Sequence, residues 1–247
     1  MKLSIKKILS NYLKEKHNAP RKSKKFGLSP SIIGDDCLRK IYYSYFKIEQ
    51  APKTILNILG LEGGNSLHNH FQKWLGDAKL AIDYIDPETK EVKVEFPISL
   101  PELKIRKGYI DRVLVWNNKI YLVEIKSVGK EKFMYCVKQP QKDHKVQGTI
   151  YIFAFENNLL DGKYDHIKAL NKSMVVEGII YLYVNRDNFN MKEFYVERNE
   201  KDFLKICNKI DNLSKYIDNK KLPPLTNGKI CKYCPYLDWC KNNKNIK

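Results

Sequence analysis

Residues 108–126 read Gly-Tyr-Ile-Asp-Arg-Val-Leu-Val-Trp-Asn-Asn-Lys-Ile-Tyr-Leu-Val-Glu-Ile-Lys. Two runs rich in β-branched and aromatic residues flank Asn117-Asn118, and asparagine tolerates the positive φ that a two-residue hairpin turn demands. A two-residue turn pairs Trp116 with Lys119, and counting back from there sets Asp111 opposite Glu124. Carboxylates facing each other across a sheet repel. A cation held between them removes that cost and gives the pair a use. Lys126 follows Glu124 by two residues and therefore projects from the same face. Two acids and a lysine around one cation are the parts of a phosphodiester-hydrolysis site.

Outward from the hairpin, Gly64-Asn65-Ser66-Leu67-His68 precedes it and Gln147-x-x-x-Tyr151 follows it. In this order the four motifs resemble the PD-(D/E)xK nuclease superfamily, in its RecB-like branch, across roughly residues 60–151. Ile110 stands where the family name has its proline. The resemblance implies an α/β fold with a restriction-endonuclease-like core, a mixed sheet flanked by helices. It implies metal ligation by His68, Asp111 and Glu124 with the Ile125 carbonyl, and a catalytic Lys126. Gln147 and Tyr151 would line the DNA path or position the lysine. His144, one helical turn before Gln147, resembles a histidine often found there and is grouped with them. Glu95, on the strand before the hairpin, is a candidate for assisting a second metal. His68 and His70 are two residues apart on one helix and point different ways; His68 holds the family spacing and His70 reads as surface.

The 247-residue chain carries 45 Lys and Arg against 28 Asp and Glu, a formal net charge of +17. That excess suits a polyanionic partner, nucleic acid first. Lysine outnumbers arginine, which favours backbone contacts over base readout. Apolar runs fall well short of the ~20 residues that span a membrane, and the start, with Leu3, Ile5, Ile8, Leu9, Tyr12 and Leu13 among lysines, reads as an amphipathic helix. No membrane association and a cytoplasmic location are expected, where thiols stay reduced.

The chain is read as one nuclease domain over residues 1–247. Residues 1–50 form an N-terminal helical part, 51–200 the catalytic core, and 201–247 a C-terminal helix with a cysteine-rich tail. Residues 14–27 are a basic, proline-broken stretch, either a linker or an arm on DNA. Ser29-Pro30-Ser31 starts a helix carrying Cys37, Ile41, Tyr42, Tyr45 and Phe46. Tyr42, Tyr43 and Tyr45 are weighed as base-stacking residues, with at least two expected in the core. A helix is expected over 62–75 with Leu67, Phe71, Trp74 and Leu75 inward, and a strand over 92–100. Residues 129–143 read as a mobile polar loop. A helix over 144–157 and strands over 175–184 and 190–197 follow. The last helix, 200–219, has Phe203, Ile206, Ile210, Leu213 and Ile217 at helical spacing.

Cys231-x-x-Cys234-Pro-x-x-x-x-Cys240 is the second chemical signal. Three closely spaced cysteines need one more ligand, from Cys37, Cys136 or Cys207. A one-plus-three pattern fits an iron–sulfur cluster better than zinc, which usually recruits paired Cys-x-x-Cys units. RecB-like nucleases with one cysteine before the catalytic core and three after it resemble the CRISPR-associated (Cas four type) adaptation exonucleases and AddB-type nuclease domains. That resemblance implies a 4Fe–4S cluster held by Cys37, Cys231, Cys234 and Cys240, clipping the N-terminal lobe to the tail. Cys136 and Cys207 are left as packed thiols. The function expected is an Mg²⁺- or Mn²⁺-dependent DNA nuclease trimming single strands or overhangs in CRISPR spacer acquisition, beside the integrase proteins. The alternatives are a phage or mobile-element recombination or repair nuclease, and a non-catalytic, cluster-containing DNA-binding module.

Overall fold

The computed structural model describes residues 4–19, 26–170, 175–226 and 229–242. Asn117 and Asn118 take φ of 49° and 58°, the two positive values that the tight hairpin needs. They join β5 (Arg112–Trp116) to β6 (Lys119–Val128), with Trp116 opposite Lys119 and Arg112 opposite Val123. The ladder stops there. Asp111 occupies a bend between β4 (Ile105–Ile110) and β5, so it is not the cross-strand partner of Glu124 that counting suggested.

β6 continues into a four-stranded mixed sheet of order β5-β6-β7-β8, completed by β7 (Val176–Asn185) and β8 (Met191–Glu197). β6 and β7 run parallel, placing Glu124 beside Tyr181 and Lys126 beside Tyr183, while β7 and β8 are antiparallel. A second, two-stranded sheet pairs β3 (Phe96–Leu100) with β4. The strand expected over 92–100 is broken in two. β2 (Val92–Lys93) pairs instead with β1 (Tyr84–Ile85), and Glu95 lies in the bend just before β3.

The parallel step from β6 to β7 requires a crossover, supplied by α5 (Lys130–Tyr135), α6 (Lys142–Leu160) and α7 (Asp165–Leu170). The stretch 129–143 is thus not a plain loop; α5 sinks Phe133 into the core and its Phe133 and Cys136 carbonyls hold Lys192 Nζ at 2.7 and 3.0 Å. α6 lies so close to β7 that a Cβ at Gly148 would collide with the Tyr181 hydroxyl, which donates to the His144 carbonyl at 2.9 Å. α8 (Glu200–Asp218) packs on α6 through buried Ile206, Ile210, Leu213 and Ile217, the face its spacing announced.

On the N-terminal side, α1 (Ile5–Asn18) borders α4 (Ile55–Asp77). His17 Nε2 meets Glu62 Oε1 at 2.7 Å, and the α1 apolar residues Ile5, Ile8, Leu9 and Tyr12 stay exposed. The helix expected from Ser29 is two: α2 (Pro30–Ile33) and α3 (Leu38–Tyr45), with Cys37 at the N-cap position of the second and no side-chain capping bond. Tyr42 and Tyr43 are fully enclosed, so neither can stack on a base; they are core residues. α4 starts seven residues earlier than expected, capped by the Thr54 side chain. Its Trp74 is 54% exposed and stacks near Phe71 and His70, against the expectation that it points inward. The basic arm residues Lys22, Lys24 and Lys25 lie outside the described residues. No described helix is long and apolar enough to cross a membrane. The tail comprises a 3₁₀ turn over Lys229–Tyr233 and α9 (Leu237–Lys241).

Candidate active site

The break between β4 and β5 turns Asp111 inward. Its Oδ2 accepts the Ile125 backbone N–H at 2.6 Å and meets His68 Nε2, from α4, at 2.7 Å. Burial works against protonation of His68, but its hydrogen bond to Asp111 and the charges of Asp111, Glu124 and Glu95 prevail, and its pKa is raised. Ligand atoms of His68, Glu95 and Asp111 all lie within 4.8 Å of one another, close enough to share one cation. Glu95 reaches the group from the bend before β3, where buried Gln72 donates to its Oε1 at 3.1 Å.

Glu124, on β6, is not among the residues whose ligand atoms lie that close together. Its Oε1 pairs with Lys126 Nζ at 2.6 Å, whereas its Oε2 is buried without any partner. Desolvation first, and then the negative charge of Asp111, push the Glu124 carboxyl up to about 8. An orphaned carboxylate oxygen in a polar centre is costly unless a cation or proton occupies it. Oxygen donors with one imidazole are the donor set of a hard divalent ion, so these residues fit Mg²⁺ or Mn²⁺.

Lys126 is held from the far side as well. Its Nζ donates to Gln147 Oε1 at 2.9 Å, and Gln147 Nε2 donates to the Tyr151 hydroxyl at 2.7 Å. Gln147 and Tyr151 sit one turn apart on α6 with only 6% and 5% of their surfaces exposed. Burial, then the nearby Glu124 charge, keeps the Tyr151 phenol protonated far above its ordinary range. His144 Nδ1 bonds the Tyr183 hydroxyl, and burial followed by the charge of Lys126 drops its pKa to about 4, so it is neutral. His70 is exposed on the opposite side of α4.

Two supporting residues escaped the sequence reading. Gln72 follows His68 by four residues, a spacing that places both on one face, and that signal was available. Arg112, adjacent to Asp111, is fully buried and reaches Asp83 Oδ1 at 2.6 Å and the Val94 carbonyl at 3.4 Å. Nothing in local sequence says that an arginine after Asp111 turns back to hold the segment before Glu95.

The cysteines are all free thiols. Cys136 is buried in the core and Cys207 is half-buried on α8. Cys37, at the start of α3, and the tail come together: Arg39 Nη1 approaches Cys240 Sγ at 3.8 Å, and Cys234, whose pKa burial raises first, also feels Cys37 and Cys240. The four expected ligands do not gather round one point, however. Among the described residues no three sulfurs are close enough to share a single ion, and Cys231 Sγ turns to the Thr226 carbonyl at 3.5 Å.

A groove of about 830 Å³, lined in part by His68, Glu95, Glu124 and Lys126, runs along α4 past Gly64 and Ser127 to Arg186. A Cβ at Gly64 would stand 2.8 Å from Ser127 Oγ, so the small residue lets α4 lie close on β6. The crystal structure of SSO0001 is similar over 96% of both chains at 19% identity with a TM-score of 0.50. That of an alkaline exonuclease (LHK-Exo) from Laribacter hongkongensis is similar over 94% of this chain and 97% of the other at 9% identity, again with a TM-score of 0.50. At such identities these likenesses concern the fold. No curated protein matches the chain in sequence. The family profile matches residues 64–241, well over half of the chain and all of the active-site residues just described, and on that match this protein belongs to the PD-(D/E)XK nuclease superfamily.

Proposed function

We propose that the protein is a divalent-metal-dependent deoxyribonuclease that trims single-stranded DNA or overhangs from an end, and that it carries a 4Fe–4S cluster. The observation that carries the nuclease reading is Glu124 Oε2, a buried oxygen without a partner beside Asp111, His68, Glu95 and Lys126. His68, Asp111, Glu124 and the Ile125 carbonyl are the ligands in this reading, with Glu95 as an additional one. An ion bound there polarises a phosphoryl oxygen and lowers the pKa of a coordinated water.

The protein's own groups do the rest. The Ile125 amide fixes the direction of Asp111, and Gln72 fixes Glu95. Lys126 carries its positive charge to the edge of the site, where it orients the attacking water or offsets charge developing on the phosphate. Gln147 and Tyr151 are positioning residues: Tyr151 takes the Gln147 amide N–H, so the amide oxygen is left to Lys126. Their near-complete burial supports this role over strand contact. The non-catalytic alternative leaves the orphaned carboxylate and the held lysine without a purpose.

Asp111→Ala, Glu124→Ala and Lys126→Ala are expected to bring cleavage of labelled single strands in Mg²⁺ or Mn²⁺ to background, with folding retained. Cleavage at the parent rate in any of them removes that residue from the site.

The cluster reading rests on four free thiols from the two ends of the chain, three of them in electrostatic reach. A cubane is broader than one ion, so its thiolates stand further apart than ligands to a single metal. On the family resemblance of the cysteine pattern we read the protein as a cytoplasmic enzyme of CRISPR spacer acquisition acting next to integrase proteins; the genes adjoining its own test that setting.

A further inference from the structure

The residues first assigned to the DNA path, Gln147 and Tyr151, are enclosed, so the strand must run elsewhere. The open space next to the metal ligands is the groove along α4. Asn57, Asn65 and Asn69 project from α4 into it at helical spacing, all three exposed. Ser127, one residue beyond Lys126, lines the opposite wall. At the far end stands Arg186, just past β7. Its Nη1 donates to the Gly60 carbonyl at 2.6 Å, which fixes the guanidinium against α4. Among the described residues Arg186 forms no ion pair with a carboxylate, and its side chain lines the groove. An anchored, unpaired guanidinium among amide and hydroxyl groups is a phosphate-recognition set.

We infer that this groove holds the sugar–phosphate backbone of the substrate strand next to the cut, with Arg186 binding a phosphate several steps from the scissile one. The inference rests on the nuclease reading and supplies its substrate contacts. Asn57 and His68 are eleven residues apart, about 16 Å of helix at about 1.5 Å per residue, which leaves room for a few phosphates of an unstacked strand. Leu56 and Leu61 add exposed apolar surface to the same groove, suited to unstacked bases, so a single strand is the ligand.

The test is equilibrium binding of fluorescent oligothymidylates of two to eight nucleotides to the full protein in EDTA, where no strand is cut. The affinity of the parent protein should climb with length over the first few nucleotides and then level off. Arg186→Ala should bind the five-nucleotide strand about tenfold more weakly, as loss of a charged hydrogen bond implies, with a log–log salt slope shallower by about 0.7. Asn65→Asp, an exposed change that leaves packing alone, should weaken the same strands by repulsion. Lys215→Ala, on the exposed face of α8, should change neither. If Arg186→Ala and Asn65→Asp bind all lengths as the parent does, or if Lys215→Ala weakens binding equally, the groove assignment is wrong. Cleavage by the parent and its loss in Asp111→Ala are scored separately in Mg²⁺. Cleavage surviving in Asp111→Ala overturns the nuclease reading, whereas unchanged binding in the groove variants overturns the groove alone.

Discussion

Lys126 is the residue on which the site's electrostatics turn. It faces Glu124 at 2.6 Å on one side and Gln147 at 2.9 Å on the other, so its ammonium has few positions open to it. Replacing Gln147 by Leu removes the second tether without adding charge. The expected result is a 10- to 100-fold fall in kcat, the range for losing an outer hydrogen bond to a site residue, with unchanged affinity for metal in a titration. Tyr151→Phe should fall less, because the amide of Gln147 keeps its bond to Lys126 and loses only its own anchor. A drop in metal affinity equal to the drop in kcat would instead make Gln147 part of the metal centre. Glu-x-Lys on a strand put Lys126 on the face of Glu124 by spacing alone, whereas Gln147 and Tyr151, one helical turn apart, gained a role only from the family resemblance. Their partners were not readable. That Asp111 leaves the ladder and binds the Ile125 amide depends on a bend between two strands, and hydrophobic periodicity carries no sign of it.

At the scale of elements, the site is assembled where α4, the bend at 94–95 and the β5–β6 hairpin meet. Each contributes one or two groups, and Arg112 ties two of them together. Its guanidinium is buried, with Nε unpartnered, and its Nη1 holds Asp83 and the carbonyl of Val94. That carbonyl immediately precedes Glu95. Arg112→Met preserves the aliphatic stem but releases the segment. Metal affinity should then weaken about tenfold, as for loss of an outer-shell support, while Glu124 and Lys126 keep their contact. Isothermal titration with Mn²⁺ reads this directly, and equal affinity in the variant would deny Arg112 its role over Glu95. Element prediction succeeded where one periodicity dominated, as in α8 with its four buried aliphatic residues and in the β5–β6 hairpin with its two asparagines. It failed where tertiary contact overrides local pattern. Trp74 faces solvent beside Phe71 and His70, while Gln72 takes the inward position and bonds Glu95. The polar run after Gly129 forms a helix whose end is bound by Lys192, far along the chain.

Across the whole molecule, residues 39–51 meet the C-terminal tail. The Ala51 N–H donates to the Pro235 carbonyl at 2.9 Å, Gln50 Nε2 reaches the Tyr236 hydroxyl at 2.8 Å, and Arg39 Nε reaches the Pro223 carbonyl at 2.7 Å. The Tyr43 and Tyr236 rings pack with centroids 5.6 Å apart. These contacts set the tail against α3 with Cys37 and Cys240 on the same side, so a cluster there would lock a junction that already exists. A covalent tie between residues this distant in sequence removes a large loop entropy from the unfolded chain, by chain-entropy reasoning about 4 kcal/mol or more. For a chain of this size that corresponds to a melting temperature about 10 °C higher. On the proposed cluster, protein purified without oxygen should be brown, and Cys37→Ser or Cys234→Ser should lose the colour and about that much in melting temperature. Cys207→Ser should keep both, because its half-buried thiol lies on α8 apart from the junction. Cys136→Ser should keep the colour while losing a little stability, since a hydroxyl replaces a thiol in the core. The colour and melting temperature must fall together: a colourless parent protein whose melting temperature ignores Cys37→Ser would leave the junction held by Arg39, Gln50 and the tyrosine pair alone.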